Sequence, residues 1–396
     1  MGSQTSLETA LTLTSILGAF LKENEMRKEP DFYFNPADLR KMAEKHSLTA
    51  ITAAALEAAG MFGYTITGSE LEKWSEIKWK AIRKNILVEQ ETEKLLQYME
   101  DHEIWNLPLK GHIISKLYPE VWMREMSDRD ILIDPMYRAH MKKHMLEQGY
   151  TVEKYRMYVD DVYLKKPVYN FELHWGLFDQ GVFRVHYETI YERLIPEQGY
   201  RFRMCFTDED AYVYIMAHAY KHYSKGGIGI RSLLDIYVWN QKKPDMDAVY
   251  VADELKALGI FGFTVQMEKL ANKLFSGKVI TEKDLDQGEA RLLSYIVGSG
   301  TYGTLPNMFS RMIQQANDES RPAMYRKSKY LLSRLFPERE LLYPYFRYAE
   351  EHGWALPVAW FKRLFIYLTE KRGRFKTEWR ILKTFRMEKG IKDDKH

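Results

Sequence analysis

The chain has 396 residues, 45% of them hydrophobic and 29% charged, which is enough to bury a large core and too apolar for intrinsic disorder. Its 58 basic and 55 acidic residues nearly balance, which argues against nucleic acid as the main partner. One cysteine, Cys205, excludes an internal disulfide and a zinc–cysteine cluster and points to a reducing, cytoplasmic setting.

Residues 1–100 read as a helical domain. Leu7, Leu11, Leu13, Ile16, Leu17, Phe20 and Leu21 recur at helical spacing. Glu8 interrupts this apolar stretch and no basic region precedes it, so it does not read as a signal peptide. The chain has no apolar run of about 18 residues, so no membrane span is expected. Asn35-Pro36 opens a helix that runs on to Ser47, and the alanine-rich segment Thr49–Ala59 stops at Gly60. Trp74–Asp101 is predicted to be one long helix with Ile77, Ile82, Ile86, Leu87, Leu95, Leu96 and Met99 inward.

Residues 101–200 carry the strand signals. From Leu107 to Asp134 the order is strand, glycine turn, helix, approach loop and second strand. A helix over Tyr137–Gln148 ends at Gly149. Alternation then marks Val152, Tyr155 and Tyr163 as strand residues, with Asp160-Asp161 as a hairpin turn. The strand Val168–Trp175 follows, and Val182–His186 reads as one more short strand. The result is a mixed sheet with helices on one side.

Residues 201–396 turn helical again, over Asp208–Tyr223, Arg231–Trp239, Met246–Leu258, Gly262–Phe275 and Asp284–Val297. Gly298 to Gly303 matches G-x-G-x-x-G literally, but a helix-like run precedes it and Pro306 follows, so it reads as a helix-ending loop. The stretch from Lys362 to His396 holds 12 basic and 5 acidic residues interleaved with Phe375, Trp379 and Phe385. It reads as a solvated helix with its apolar face on the body, or else as a contact for an anionic surface.

The chemistry concentrates around Asp128 and Asp130. Side chains two apart on a strand share a face, and two carboxylates there repel unless a cation lies between them. Such oxygens suit Mg²⁺, which keeps waters and adds substrate phosphates. Glu172 and His174 share a face of a later strand and can join them, Glu172 as ligand or proton acceptor. His174 would hydrogen-bond that carboxylate, touch a base, or be a core histidine satisfied by a carbonyl. Lys110-Gly111 ends an apolar run where backbone amides and a point charge can meet a phosphate. Arg124 would neutralise a leaving pyrophosphate, or else pair with Asp128 or Asp130. Arg129 lies between the aspartates and faces the other way, which makes it structural. His218 and His222 have the i, i+4 spacing of a zinc pair, but no glutamate follows His218.

In order along the chain, LKG, LYP, Arg124, SDRDILI and ELHW resemble the bacterial uncharacterised nucleotidyltransferases, from about Ala43 to Leu368. The likeness runs through His218, His222, Arg231, Asp235 and Leu356-Pro357. It implies an α+β fold: a palm-like nucleotidyltransferase core of mixed sheet at 101–200, between helical domains at 1–100 and 201–396. It implies Mg²⁺-dependent transfer of a nucleoside monophosphate from an NTP to a hydroxyl or phosphate acceptor, with two ions held by Asp128, Asp130 and Glu172. His218, Lys221, Arg231 and Asp235 would line the cleft opposite the palm and touch nucleotide or acceptor, unless Arg231 simply pairs with Asp235. The wider superfamily usually carries Gly-Ser or Gly-Gly where this chain has Gly111-His112, so a serine contact to the outer phosphates is missing. That departure favours a second reading, a non-catalytic nucleotide-binding protein. A third, a toxin-like transferase acting on tRNA, rests on the basic tail alone. The acceptor and the oligomeric state are not written in these residues.

Overall fold

A computed structural model describes residues 5–22, 34–156, 159–179, 181–301, 332, 336 and 352–369. The expectations for the tail beyond 369 and for Tyr302, Gly303 and Pro306 lie outside these residues.

The first helices follow their capping chemistry. Helix α1 (Ser6–Leu21) begins with a capping box between Thr5 and Glu8. Helix α2 (Pro36–Lys45) is capped by Asn35, whose side chain accepts from Ala37 and Asp38. Helix α3 (Thr49–Ala58) has no side-chain cap of its own residues. Glu125 serves instead, accepting from the Thr49 hydroxyl at 2.8 Å and the Ala50 N–H at 3.1 Å. Helix α4 (Gly68–Asp101) runs 34 residues and buries Trp74, Val88, Thr92, Leu95, Leu96 and Met99. Ile86 and Leu87, expected inward, are exposed, because the neighbours of so long a helix change along its length and these two face away from them.

Strand β1 (Asn106–Pro108) leads through Lys110 into the five-residue helix α5 (Gly111–Ser115). Strand β2 (Arg129–Ile133), helix α6 (Arg138–Glu147), and strands β3 (Thr151–Lys154), β4 (Asp160–Lys165) and β5 (Tyr169–His174) follow. The sheet order is β1-β2-β5-β4-β3, with β2 and β5 parallel and the other neighbours antiparallel. The period of two then sorts the side chains. Ile131, Ile133, Phe171 and Leu173 pack with Leu95, Leu96 and Met99 of α4 and with Met141 and Met145 of α6. Asp130, Leu132, Glu172 and His174 alternate with them and take the opposite face.

Two strand expectations are corrected. Asp160 and Asp161 open β4 rather than forming the turn, and Tyr155 falls just after β3. A carboxylate can be buried in a strand when its lone pairs are met: Asp161 accepts from Arg138 Nε at 2.8 Å, Trp175 Nε1 at 3.0 Å and the Arg156 N–H at 2.7 Å. Residues Gly181–Tyr187 form helix α7, not a strand; five apolar-alternating residues fit either period, and stacking of Phe183 and Tyr187 on Phe178 decides it.

A two-stranded ribbon, β6 (Ile195–Pro196) with β7 (Met204–Cys205), precedes the later helices. These are α8 (Asp208–Lys225), α9 (Ile230–Lys242), α10 (Ala248–Ala257), α11 (Phe261–Leu274), α12 (Gln287–Ser299) and α13 (Leu356–Thr369). Helix α12 ends at Gly300 with φ +67°, as the helix-ending reading of that glycine run expected. One hydrophobic core joins α1–α3 to α8, α9, α11 and α12, and Leu107, Leu109 and Leu132 reach it from the sheet. Helix α8 is thereby seated over the acidic face. Among the described residues no helix is long and apolar enough to cross a membrane.

The closest approach within this core is at Gly18 of α1. A Cβ there would lie 2.8 Å from the Cα and carbonyl carbon of Phe275 at the end of α11. Gly18→Ala is therefore expected to cost about 1–3 kcal/mol and lower the melting temperature by a few degrees. Unchanged thermal unfolding would contradict this seating of α1.

Candidate functional site

The site grows from strand register. Asp130 of β2 lies directly opposite Glu172 of β5, and Leu132 opposite His174. Parallel pairing puts the two carboxylates side by side on the face under α8. Asp130, Glu172 and His174 each offer a ligand atom within 4.8 Å of the others. His174 Nε2 is 2.7 Å from Asp130 Oδ1 and 3.9 Å from Glu172 Oε2. The core-histidine alternative, with a carbonyl as partner, is replaced by this carboxylate contact. Asp128 lies just before β2 rather than within it, half-buried, and close enough for its charge to act on Glu172 and Lys110.

Lys110 reaches the same point from the neighbouring strand. The Leu109 N–H donates to the Asp130 carbonyl at 2.9 Å, so the residue after it falls beside Asp130. Lys110 Nζ is 2.8 Å from Asp130 Oδ1. Its backbone has φ +44°, a region a lysine rarely adopts and one that costs about 1–3 kcal/mol. The turn that carries Lys110 to the carboxylate is held by its surroundings. Gly111 is required there for a steric reason: a Cβ would lie 2.5 Å from Met126 Sδ and 2.7 Å from Arg124 Nη1.

These charges set one another. Burial would raise the Asp130 carboxyl, but Lys110 and His174 overrule it and hold it well below the usual carboxylate range. Burial also acts to lower Lys110, but Asp130 dominates and raises it. Glu172 has no such partner; burial first, then the negative charges of Asp130 and Asp128, push it from 4.5 to about 7. Helix α8 faces this pair with His218, Lys221 and His222. His218 and His222 lie with their Nε2 atoms 3.1 Å apart. Burial and the nearby Lys110 hold His218 well below its ordinary value, and burial, Lys110 and Lys221 bring His222 down to about 4. Both imidazoles are therefore neutral at pH 7, where one can donate while the other accepts.

Other candidates are placed differently. Arg124 does not pair with Asp128 or Asp130. Its Nε and Nη2 each donate at 2.8 Å to the two oxygens of Asp235 on α9, which also accepts from Tyr118. All three are buried, and removing one partner of such a pair costs about 3–5 kcal/mol. Arg231, expected in one reading to pair with Asp235, donates to the Glu125 carbonyl at 2.8 Å. Arg129 faces away as expected, to Glu89 and Thr92. His112, next to the glycine, is buried with its Nδ1 3.9 Å from Glu89. Tyr214 of α8 lies near enough to feel Lys110 and Asp130 and was not singled out from the sequence, where nothing separates it from the other tyrosines of that helix.

Two carboxylates and an imidazole nitrogen within 4.8 Å of one another on one face could hold a divalent cation. Glu172 is raised by burial first and by the charges of Asp130 and Asp128 second, which Lys110 only partly offsets. In metal-free protein, Glu172 keeps its proton in the folded state up to about pH 7 but loses it near 4.5 when unfolded. Folded protein then binds more protons across that window, so stability falls as pH rises through it. Glu172→Gln removes this slope. With chelator present, its melting temperature is expected to exceed wild type at pH 8 and to match it at pH 5; an equal difference at both would contradict the charge crowding.

Comparison with known proteins adds one finding. The family described as uncharacterised nucleotidyltransferase matches residues 34–276, which contain every candidate residue named above and stop short of the resemblance's reach to Leu368. No curated protein and no solved structure matches the chain. A match over more than half the chain, carrying the acidic pair of β2 and β5 and the lysine turn beside it, places this protein in the uncharacterised nucleotidyltransferase family.

Proposed function

We propose that the protein is a nucleotidyltransferase that moves a nucleoside monophosphate from an NTP to a hydroxyl or phosphate acceptor, releasing pyrophosphate. The observation that carries this reading is the register of β2 and β5, with Asp130 beside Glu172 and Lys110 on Asp130. Asp130 and Glu172, with Asp128 at the strand's entry and His174 alongside, would hold Mg²⁺, for which two ions are expected. Bound there, Mg²⁺ would neutralise phosphate charge and acidify the acceptor.

The chain's own groups supply the rest. The acceptor oxygen attacks the α-phosphorus; a new P–O bond forms and the bond to pyrophosphate breaks. A hydroxyl acceptor's proton would pass to Glu172, whose carboxylate lies beside Asp130 on the same face. Lys110 exchanges Asp130 for the phosphates and takes up charge on the departing pyrophosphate. His218, Lys221 and Arg231 line the side from which the nucleotide enters, with neutral His218 and His222 offering hydrogen bonds. Arg124 and Gly111 act by position: Gly111 leaves room for the Arg124 guanidinium, and Arg124 ties the loop before β2 to α9. One cysteine and balanced charge suit a cytoplasmic reaction on a small molecule or protein side chain.

Incubated with Mg²⁺ and each of ATP, GTP, CTP and UTP, the wild type is expected to self-label or release pyrophosphate with at least one. Asp130→Asn, which keeps the shape of the side chain, should lower that rate roughly hundredfold or more while leaving the fold intact. Undiminished turnover in Asp130→Asn would overturn the assignment. Nucleotide-dependent thermal shifts with no turnover would favour the non-catalytic binder.

A further inference from the structure

A cavity of about 280 Å³ opens on the other side of Asp128 from α8. Helix α4 contributes Lys80, Lys84 and Asn85, the loop before β2 contributes Trp122 and Asp128, and β5 contributes Asn170. No residue of α8 lines it. Its volume sits at the small end of small-molecule sites, roughly 300–1,000 Å³. One aromatic plane, two amides and two ammonium groups over an apolar floor are the makings of a site for a compact polar anion.

The charges in the cavity wall are near one another without touching: among the described residues no carboxylate comes within ion-pair distance of Lys80 or Lys84, although Glu125 and Asp128 both act favourably on the Lys84 charge. Lys84 Nζ is half-buried and its hydrogen-bond partner is a neutral acceptor, the Met126 carbonyl at 2.6 Å. Lys80 makes no ion pair among the described residues. Of the two acidic residues in the wall, Glu125 is engaged with the start of α3, and Asp128 belongs to the metal-binding edge. Exposed Lys80 and half-buried Lys84 stand one helical turn apart, on a face that otherwise carries Ile77, Ala81 and Val88.

The position gives the cavity its role. Lys110, His218 and Lys221 crowd one flank of Asp130 and Glu172, and the cavity occupies the flank at Asp128. In-line phosphoryl transfer brings acceptor and leaving group to opposite sides of the reacting phosphorus. We propose that this cavity is the acceptor site, and that the acceptor is a small phosphate-bearing molecule anchored through its phosphate by Lys80 and Lys84 and presenting a hydroxyl towards Glu172. This rests on the transferase reading for the word acceptor; the anion site itself does not.

Pyridoxal 5′-phosphate tests it on the whole protein. The reagent binds where a phosphate and a lysine amine meet, condenses with the amine with loss of water, and is fixed by borohydride reduction to a secondary amine that peptide mapping locates. Lys80 or Lys84 is expected to label about tenfold faster than the exposed Lys94 and Lys143, and inorganic phosphate should slow that labelling by a similar factor. A non-hydrolysable ATP analogue with Mg²⁺ should not slow it. Labelling no faster than at Lys94 and Lys143, or indifferent to phosphate, would overturn the anion site. Protection by the nucleotide would assign the cavity to the NTP and overturn the acceptor role. The labelling needs no turnover, so absence of pyrophosphate release by the wild type counts against the transferase reading without touching this result.

Discussion

Everything at the site depends on two carboxylates, buried Asp130 and half-buried Glu172, being brought side by side by a parallel strand pair. Asp130 and Glu172 are opposite one another because β2 and β5 run the same way in that register. A one-residue slip would turn both to the α4 and α6 side, where Ile131, Phe171 and Leu173 now fill the core. The apolar face therefore fixes the acidic one. Burial and the neighbouring charges together push Glu172 up to about 7, whereas Lys110 and His174 keep Asp130 ionised. Metal-free, the face keeps a proton at Glu172 up to about pH 7, and a bound cation would displace it.

The rest of the fold holds that face in place. Lys110 is delivered by the β1–β2 pairing and by a turn whose backbone pays strain to bring it round. Arg124, Asp235 and Tyr118 tie the approach loop to α9, so the helical half cannot move without disturbing the entry to β2. Glu125, one residue on, caps α3 through Thr49 and Ala50. The loop before β2 is thus fastened to helices from both ends of the chain, and the core that joins α1 with α11 and α12 closes the circle.

Much of this was legible in the sequence, because strand alternation and the order of glycine turn, paired aspartates and later glutamate carry local information. The period of two put Glu172 and His174 on one face, and their meeting with Asp130 followed. Pairings between distant segments were not legible. Arg124 finds Asp235, 111 residues away, rather than the nearby aspartates, and no spacing rule reports that. Asp161 looked like a turn residue because a buried carboxylate is recognisable only once Arg138 and Trp175 are seen around it. Lys80 and Lys84 stand i, i+4 on α4, but the stronger pattern there is an apolar stripe, and that pattern turns Ile86 and Leu87 inward where the fold leaves them exposed.

The central claim is that Asp130 and Glu172 share one divalent cation. Free Mn²⁺ gives a sharp electron paramagnetic resonance signal that is lost on binding, so titrating wild type, Asp130→Asn and Glu172→Gln compares their affinities directly. The account predicts that each substitution weakens the same site by about tenfold or more. Either variant binding Mn²⁺ as tightly as wild type would contradict it.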